Sequence, residues 1–260
     1  MEDRVSFVEI CGEKIMFHRR LISSALALAL VTALTAVSFA STPSYSKDSK
    51  KNDAQVVAPV NLAILIQDDL IPQVANELNA TRSFIRSLPA GSRVMVGYIT
   101  AGALQVRQPF TSDLDQAARS LRILRSSPSG SPFNPYVEVI EALHRFENVG
   151  QGKNVVLLIS DGLDISRGFD STTAGQTLDL QRAIKQANKR GVAVYTFYAP
   201  SVGLTSHSRI AASYGQSSLN RIANETGGKA FFQGTSGFVT FDSYFQRLRQ
   251  ALNEQYARAY

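Results

Sequence analysis

Residue types that carry crosslinks and much enzyme chemistry are scarce in this chain. Its 260 residues include one cysteine, three histidines and no tryptophan. The one cysteine, Cys11, precedes a long apolar segment. The chain after that segment therefore has no disulfide, no thiolate nucleophile and no cysteine-ligated metal.

Motifs of common enzyme classes are missing too. The chain has neither a G-x-S-x-G nucleophile elbow nor a G-x-x-x-x-G-K-[ST] phosphate loop. Gly150 and Gly152 precede an apolar run instead of following one, so they do not form a dinucleotide-binding turn. We therefore predict that the protein is not an enzyme. A hydrolase on a doubly wound fold is the rival hypothesis, and it requires His144 or His207 to lie within hydrogen-bonding reach of a serine and an acid.

The charge balance is basic but moderate. Lysine and arginine number 27 against 21 acidic residues, which gives a formal net charge of +6. No basic run is interleaved with aromatic residues, as grooves for single-stranded nucleic acid require. We expect no nucleic-acid partner.

The N-terminal region has the pattern of a secretory signal peptide. Arg19 and Arg20 precede an apolar run over residues 21–39, and Ala40 completes a small-x-small cleavage site. We assign residues 1–40 to this peptide and expect an exported protein, periplasmic or extracellular; an uncleaved segment would be its one contact with the membrane. Met16 stands where such peptides begin, which favours residues 1–15 being an upstream extension. Residues 41–58 have too few large apolar side chains to order themselves, so we predict a disordered linker.

Residues 59–260 have the pattern of one α/β domain. Short apolar runs rich in β-branched residues, typical of strands buried on both faces, alternate with segments that have an apolar residue every three or four positions. The alternation predicts a doubly wound, mostly parallel central sheet flanked by helices. Residues 104–110 alternate and contain Pro109, which indicates an edge strand. We interpret residues 200–216 as a polar loop and residues 217–226 as the helix that follows it.

The most informative stretch is residues 154–166, NVVLLISDGLDIS. An apolar strand ends there at Ser160-Asp161-Gly162, and Asp164 follows. This pattern resembles the central strand and third metal loop of von Willebrand factor type A (vWA) domains, which are binding modules. The segment from Asn220 to Phe232 resembles a late helix-to-strand segment of secreted bacterial vWA-related proteins.

The resemblance implies a metal-ion-dependent adhesion site in which three loops hold one Mg²⁺. The first loop should read Asp-x-Ser-x-Ser, but this chain has Gln67, Asp69 and Ile71 at those positions. Ser131 is the nearest match to the second-loop threonine, and Asp161 keeps the third-loop aspartate. We therefore predict a degenerate site and no cofactor. The alternative is a Mg²⁺-dependent adhesion-type binder using Asp69, Ser131 and Asp161, since Mg²⁺ often binds through one or two carboxylates and waters.

Ligands of open α/β sheets bind outside the carboxyl ends of the strands. The vWA resemblance and this rule predict a protein partner, bound without catalysis, on loops in that position. The predicted partner-binding residues are Gln67, Asp68, Asp69, Ser131, Asn134, Asp161 and Asp164.

Overall fold

A six-stranded sheet forms the centre of the computed structural model, which describes residue 56 and residues 58–147, 149–169, 177–234 and 240–257. The strands are β1 (Val60–Gln67), β2 (Arg93–Thr100), β3 (Ala103–Thr111), β4 (Lys153–Ser160), β5 (Val192–Tyr198) and β6 (Ala230–Phe231). Their order in the sheet is β3-β2-β1-β4-β5-β6. Every neighbouring pair is parallel except β2 and β3, which are antiparallel. The predicted doubly wound, mostly parallel sheet is confirmed.

Helices cover both faces of the sheet. They are α1 (Leu78–Arg86), α2 (Leu114–Arg119), α3 (Pro135–His144), α4 (Leu178–Lys189), α5 (Leu204–His207), α6 (Arg209–Glu225) and α7 (Asp242–Ala257), with 3₁₀ turns at Pro72–Glu77 and Pro128–Gly130. Proline opens α3 and both 3₁₀ turns, where its missing N–H costs no hydrogen bond.

The central strand β1 shows why the strands read as continuous apolar runs. All eight of its residues are buried. Leu62 and Ile64 pack on the side of the sheet covered by α1, α2 and α7, whereas Ala63 and Leu65 pack on the side covered by α3, α4 and α6. Successive side chains of a strand point to opposite faces, so a strand covered on both sides has no polar position until it ends.

Two predicted elements, the loop over residues 200–216 and the helix over residues 217–226, differ from those observed. The predicted polar loop over residues 200–216 is wrong, because α5 and the first eight residues of α6 lie within it. Ser208 caps α6 by accepting a hydrogen bond from the Ala211 N–H, and Ala211, Ala212 and Gly215 face inward. Small inward residues leave no large apolar stripe to detect. The predicted edge strand containing Pro109 is confirmed as β3.

The domain boundaries fall largely outside the described residues. The predicted signal peptide, residues 41–55 of the predicted linker and residue 57 are among those not described. Val56 and Ala58, also assigned to the linker, are buried, and Val56 belongs to the core beneath α1 and α7. Within the ranges that the structure describes, no helix is both long enough and apolar enough to cross a membrane.

Candidate functional site

Four loops meet at the carboxyl end of the parallel strands and enclose a cleft of about 200 Å³. We call residues 67–71, 131–134, 161–169 and 201–204 together the loop face. The cleft is lined by Gln67, Asp69, Pro128, Ser131, Pro132, Phe133, Asp161, Leu163, Ile165, Ser201, Gly203 and Leu204. The three candidate metal ligands Asp69, Ser131 and Asp161 are therefore neighbours, although 92 residues separate the two acids in sequence.

Gln67 joins the ends of the two central strands through its side-chain amide. The amide oxygen accepts hydrogen bonds from the Ser160 hydroxyl and from the backbone N–H of Asp161, at 2.5 and 3.2 Å. The amide nitrogen donates to Asp69 Oδ1 at 2.7 Å. The Ser160 hydroxyl also accepts from the Gly162 N–H at 2.9 Å. One buried amide thus fixes the loop after β1 to the loop after β4.

Asp69 and Asp161 are buried carboxylates with raised pKa values. Burial and the nearby Asp161 carboxylate raise the pKa of Asp69 to about 6, although hydrogen bonds from Gln67 and Ser131 oppose the shift. Burial also raises the pKa of Asp161, against hydrogen bonds from the Leu163 N–H and the Thr205 hydroxyl. Two adjacent acids away from water cannot both ionise cheaply. Hydrogen bonds from the Gln67 amide, the Leu163 N–H and the Thr205 hydroxyl therefore stabilise the pair.

Asp68 is separated from this pair. Its side chain is fully buried and accepts two hydrogen bonds from Arg122, at 2.7 and 2.8 Å, and one from the Arg125 N–H at 3.0 Å. The Arg122 guanidinium lies 4.0 Å above the centre of the Tyr98 ring. Burial would raise the pKa of Asp68, but the bonds from Arg122 and Arg125 outweigh it and hold the pKa below its usual value. With no exposed surface, the carboxylate of this predicted partner-binding residue holds residues 122–125 against the end of β1.

The other predicted site residues hold the loops in shape. Asn134 caps α3 by accepting from the Tyr136 N–H and donates to Asp179. Asp164 accepts from both the N–H and the hydroxyl of Ser166, which makes a side-chain-closed turn. Both residues are buried, so only their neighbours reach the surface of the loop face.

Two hydroxyl residues of the site were not predicted. Thr205 donates to Asp161 Oδ2 at 3.0 Å, and Ser201 lies 3.0 Å from Thr205. Both follow β5, in the stretch read as a polar loop. The detectable signal was their position after a buried parallel strand, where side chains reach the same edge of the sheet as Asp161.

Helix α6 fixes the position of Asp161 by direct backbone contact. A Cβ built on Gly215 would overlap the Asp161 carbonyl oxygen, and one on Gly162 would overlap the Gly215 carbonyl oxygen. Gly162 also has a φ of 71°, which side-chain-bearing residues rarely adopt. The Tyr136 hydroxyl donates to the Gly162 carbonyl at 2.7 Å. This close approach requires glycine at both positions.

The geometry required by the hydrolase hypothesis does not occur at His144 or His207. His144 Nδ1 lies 3.4 Å from Glu147 and 2.9 Å from Arg190, on the exposed side of α3. Over the described ranges, no hydrogen bond joins either histidine to a serine hydroxyl. Within the same ranges, no three His, Cys, Asp or Glu side chains lie together in a way that could hold a metal ion.

Comparisons with known proteins identify fold relatives. No family model matches the sequence, and no curated protein matches it. The conserved hypothetical protein BatB of Bacteroides thetaiotaomicron is similar in structure, with a TM-score of 0.53, 16% identity, and coverage of 76% of this chain and 99% of that one. An aerotolerance-related membrane protein of Bacteroides fragilis gives a TM-score of 0.51 and 14% identity over 75% of this chain and 99% of that one.

The SpRpn10 VWA domain also aligns, at 13% identity over 76% of this chain and 95% of that one, with a TM-score of 0.44 that is too low to argue from. At such identities, likeness in structure concerns the fold alone. The sheet order with one antiparallel edge strand and the strand that ends at Ser160-Asp161-Gly162 agree with the resemblance seen in the sequence. The chain has a von Willebrand factor type A-like fold.

Proposed function

We propose that the chain is an exported protein-binding module without catalytic activity, and that it binds its partner on the loop face. The observation that carries this proposal is the placement of exposed large apolar side chains. Among the described residues they are Ile123, Phe133, Val137, Phe169, Leu178, Leu204, Ile210 and Phe232. Each lies in a loop near the carboxyl ends of the parallel strands or in the first turns of a helix that begins there. Concentrated exposed apolar surface is typical of interaction sites.

Phe133 supports the same assignment through its backbone. It is 56% exposed and has a φ of 50°, a conformation that is unfavourable for a bulky side chain. Its carbonyl accepts a hydrogen bond from the Ile165 N–H, so the neighbouring loop holds it in place. Strained residues that a structure retains tend to cluster at functional sites. An exposed aromatic ring fixed at the rim of a cleft is well suited to bury against a protein partner.

The proposal of no catalytic role rests on the two histidines outside the N-terminal region, His144 and His207. Nucleophilic catalysis of the hydrolase type needs a histidine within hydrogen-bonding reach of a serine. His144 instead contacts Glu147 and Arg190, and within the described ranges neither histidine bonds to a serine hydroxyl. The placement of the histidines therefore favours binding over chemistry.

Export is supported from two sides. The N-terminal sequence has the basic, apolar and small-residue parts of a signal peptide. One fold relative is described as an aerotolerance-related membrane protein, which favours a place in the cell envelope for this chain as well.

A Mg²⁺-dependent adhesion-type binder is the second candidate. The favouring observation is that Asp69, Ser131 and Asp161 line one cleft, together with the Ser201 hydroxyl. In that case calcium or magnesium chelation would abolish partner binding, whereas the metal-free candidate predicts no effect of chelation.

The test uses two variants of the mature domain as bait in the native cell envelope. It compares how much partner each variant captures by cross-linking. Phe133→Asn removes the ring and relieves the strain, because asparagine tolerates a positive φ. We expect it to fold normally and to lose at least about tenfold in partner affinity, the effect of removing an aromatic anchor. The contrasting variant Arg247→Gln/Arg249→Gln neutralises two arginines of α7, the exposed Arg247 and the half-buried Arg249, and should keep the partner. Retention by the first variant and loss by the second would place the interface on the basic surface instead.

A further inference from the structure

The side chain of Gln67 has only one orientation that satisfies its surroundings. The backbone N–H of Asp161 is a donor and nothing else, so the amide oxygen of Gln67 must face it. The Ser160 hydroxyl accepts from the Gly162 N–H and gives its own proton to the same amide oxygen. The amide nitrogen is therefore directed at Asp69 Oδ1, and the Gln67 side chain also lowers the pKa of Asp161.

This orientation places N–H groups where a vWA metal site needs an oxygen. The nitrogen of a carboxamide offers two donors and no lone pair to a cation. Mg²⁺ requires near-octahedral oxygen ligands at about 2.0–2.1 Å. An amide turned to present its oxygen to a cation would leave the buried N–H of Asp161 without an acceptor.

Two further residues beside the cleft, Thr205 and Ile71, also fail to offer a cation a free oxygen. The Thr205 hydroxyl gives its proton to Asp161 and accepts from the Ser201 N–H at 2.8 Å. Ile71 stands at the second hydroxyl position of the first loop, and its buried side chain has no ligand atom. Its N–H bonds to the Pro200 carbonyl, which fixes the loop in this position. Neither Thr205 nor Ile71 therefore supplies a ligand for a metal.

We propose that the Gln67 carboxamide takes the place of the cation in this cleft, so that the loop face binds its partner without a divalent metal. The amide bonds to Asp69 through its nitrogen and to Ser160 and the Asp161 N–H through its oxygen, and it thereby holds together the loops that a metal would otherwise join. The inference rests on the proposed partner-binding role of the loop face, and it identifies Gln67 as the residue that determines metal independence.

Replacement of Gln67 by glutamate tests this directly, because the change keeps the shape and replaces N–H₂ by oxygen. In EDTA, Gln67→Glu should melt at a lower temperature than the wild type, since three carboxylates then meet in one cleft. About 10 mM Mg²⁺ or Mn²⁺ should raise its melting temperature by several degrees and leave the wild type unchanged. Gln181→Glu is the matched control, because it makes the same charge change on the exposed side of α4 and should gain no metal response.

Two results would overturn the inference. One is a wild-type melting temperature that rises with Mg²⁺ as much as that of Gln67→Glu; the other is a folded Gln67→Glu with no metal response. If the variant does not fold, calorimetric titration of the wild type decides. If titration with Mg²⁺ or Mn²⁺ up to about 10 mM releases or absorbs no binding heat, metal independence is supported. A site with a submillimolar dissociation constant refutes it.

Partner capture separates this inference from the proposed function. If the wild type captures its partner equally well in EDTA and in Mg²⁺, the result supports both the proposed binding function and metal independence. Capture that requires Mg²⁺ refutes metal independence and leaves the loop face as the binding site. Full capture by Phe133→Asn refutes the loop face, while the metal titrations of the purified domain still report on Gln67.

Discussion

Loss of Arg122 should destabilise the fold strongly, because Asp68 is an acid with no contact to water. The change Arg122→Met removes two hydrogen bonds of 2.7 and 2.8 Å and leaves the carboxylate with the Arg125 N–H and the Arg125 side chain, whose Nε lies 3.4 Å away. Removing one partner of a buried ion pair costs about 3–5 kcal/mol. Since the Arg125 side chain is 60% exposed and compensates only weakly, we expect about 3 kcal/mol.

The double variant Asp68→Asn/Arg122→Met should recover most of that loss. It leaves no unpaired charge in the interior, so the remaining cost is a lost hydrogen-bond network and the packing of Arg122 on Tyr98, about 1 kcal/mol. The assay is urea unfolding at pH 7 with linear extrapolation. The reasoning is refuted if Arg122→Met costs under about 1 kcal/mol, or if the double variant is as unstable as the single one.

The same pair predicts the direction of a pH effect. The folded-state pKa of Asp68 lies below its ordinary value of 3.8, so its stabilising contribution is present above that value and is lost as the pH falls through the folded-state pKa. The difference in the free energy of unfolding between wild type and Arg122→Met should therefore become smaller under acidic conditions. If that difference stays constant down to the pH of acid unfolding, the charge of the Asp68 carboxylate does not cause the destabilisation.

Three further predictions concern buried groups. Gly215→Ala should cost about 1–3 kcal/mol and weaken partner capture, since its methyl displaces Asp161, whereas Gly130→Ala, which meets open space, should be near neutral in thermal melting. Glu138 has one buried oxygen without a hydrogen bond and a pKa raised from 4.5 to about 7 by burial. Glu138→Gln should therefore stabilise the fold by about 1 kcal/mol at pH 8, after allowance for solvent screening, and by nothing below pH 4.5. The pKa of Asp69, raised from 3.8 to about 6, makes wild-type stability fall as the pH rises through that window; Asp69→Asn should reduce that slope in urea unfolding, and Glu138 and Asp161 should account for the slope that remains.

The sheet could be predicted because its strands are covered on both sides. Each buried strand, such as Val60–Gln67, appears in the sequence as an apolar run of the right length. The placement of Asp161 followed from the end of such a run. Helix α6 begins at Arg209, eight residues before its predicted start at residue 217, with Ser208 as its cap. The early start was missed because the inward face of this first part is made of alanine and glycine. Apolar periodicity detects large side chains and misses a helix that packs by close backbone approach.

The partners of the site residues could not be predicted from residue type. Asp68, Asp69 and Asp161 look alike in sequence, yet Asp68 meets Arg122, 54 positions away, and the other two meet an amide and a hydroxyl. Those contacts depend on how the loops that follow different strands are positioned relative to one another in the folded domain. Sequence spacing carries no information on such long-range geometry, whereas it does report on which strand ends with an acid.

The assembly of the cleft from distant segments has a consequence for the order of folding. The bond between Gln67 and Ser160 spans 93 positions, and the one between Asp161 and Thr205 spans another 44. Contacts of this range carry a large loop-closure cost and form late. During synthesis, Gln67 must wait for β4, and Asp161 for the chain beyond β5, before the cleft exists. A partner on this face would therefore recognise only the finished domain, and by mass action it would protect that domain from unfolding.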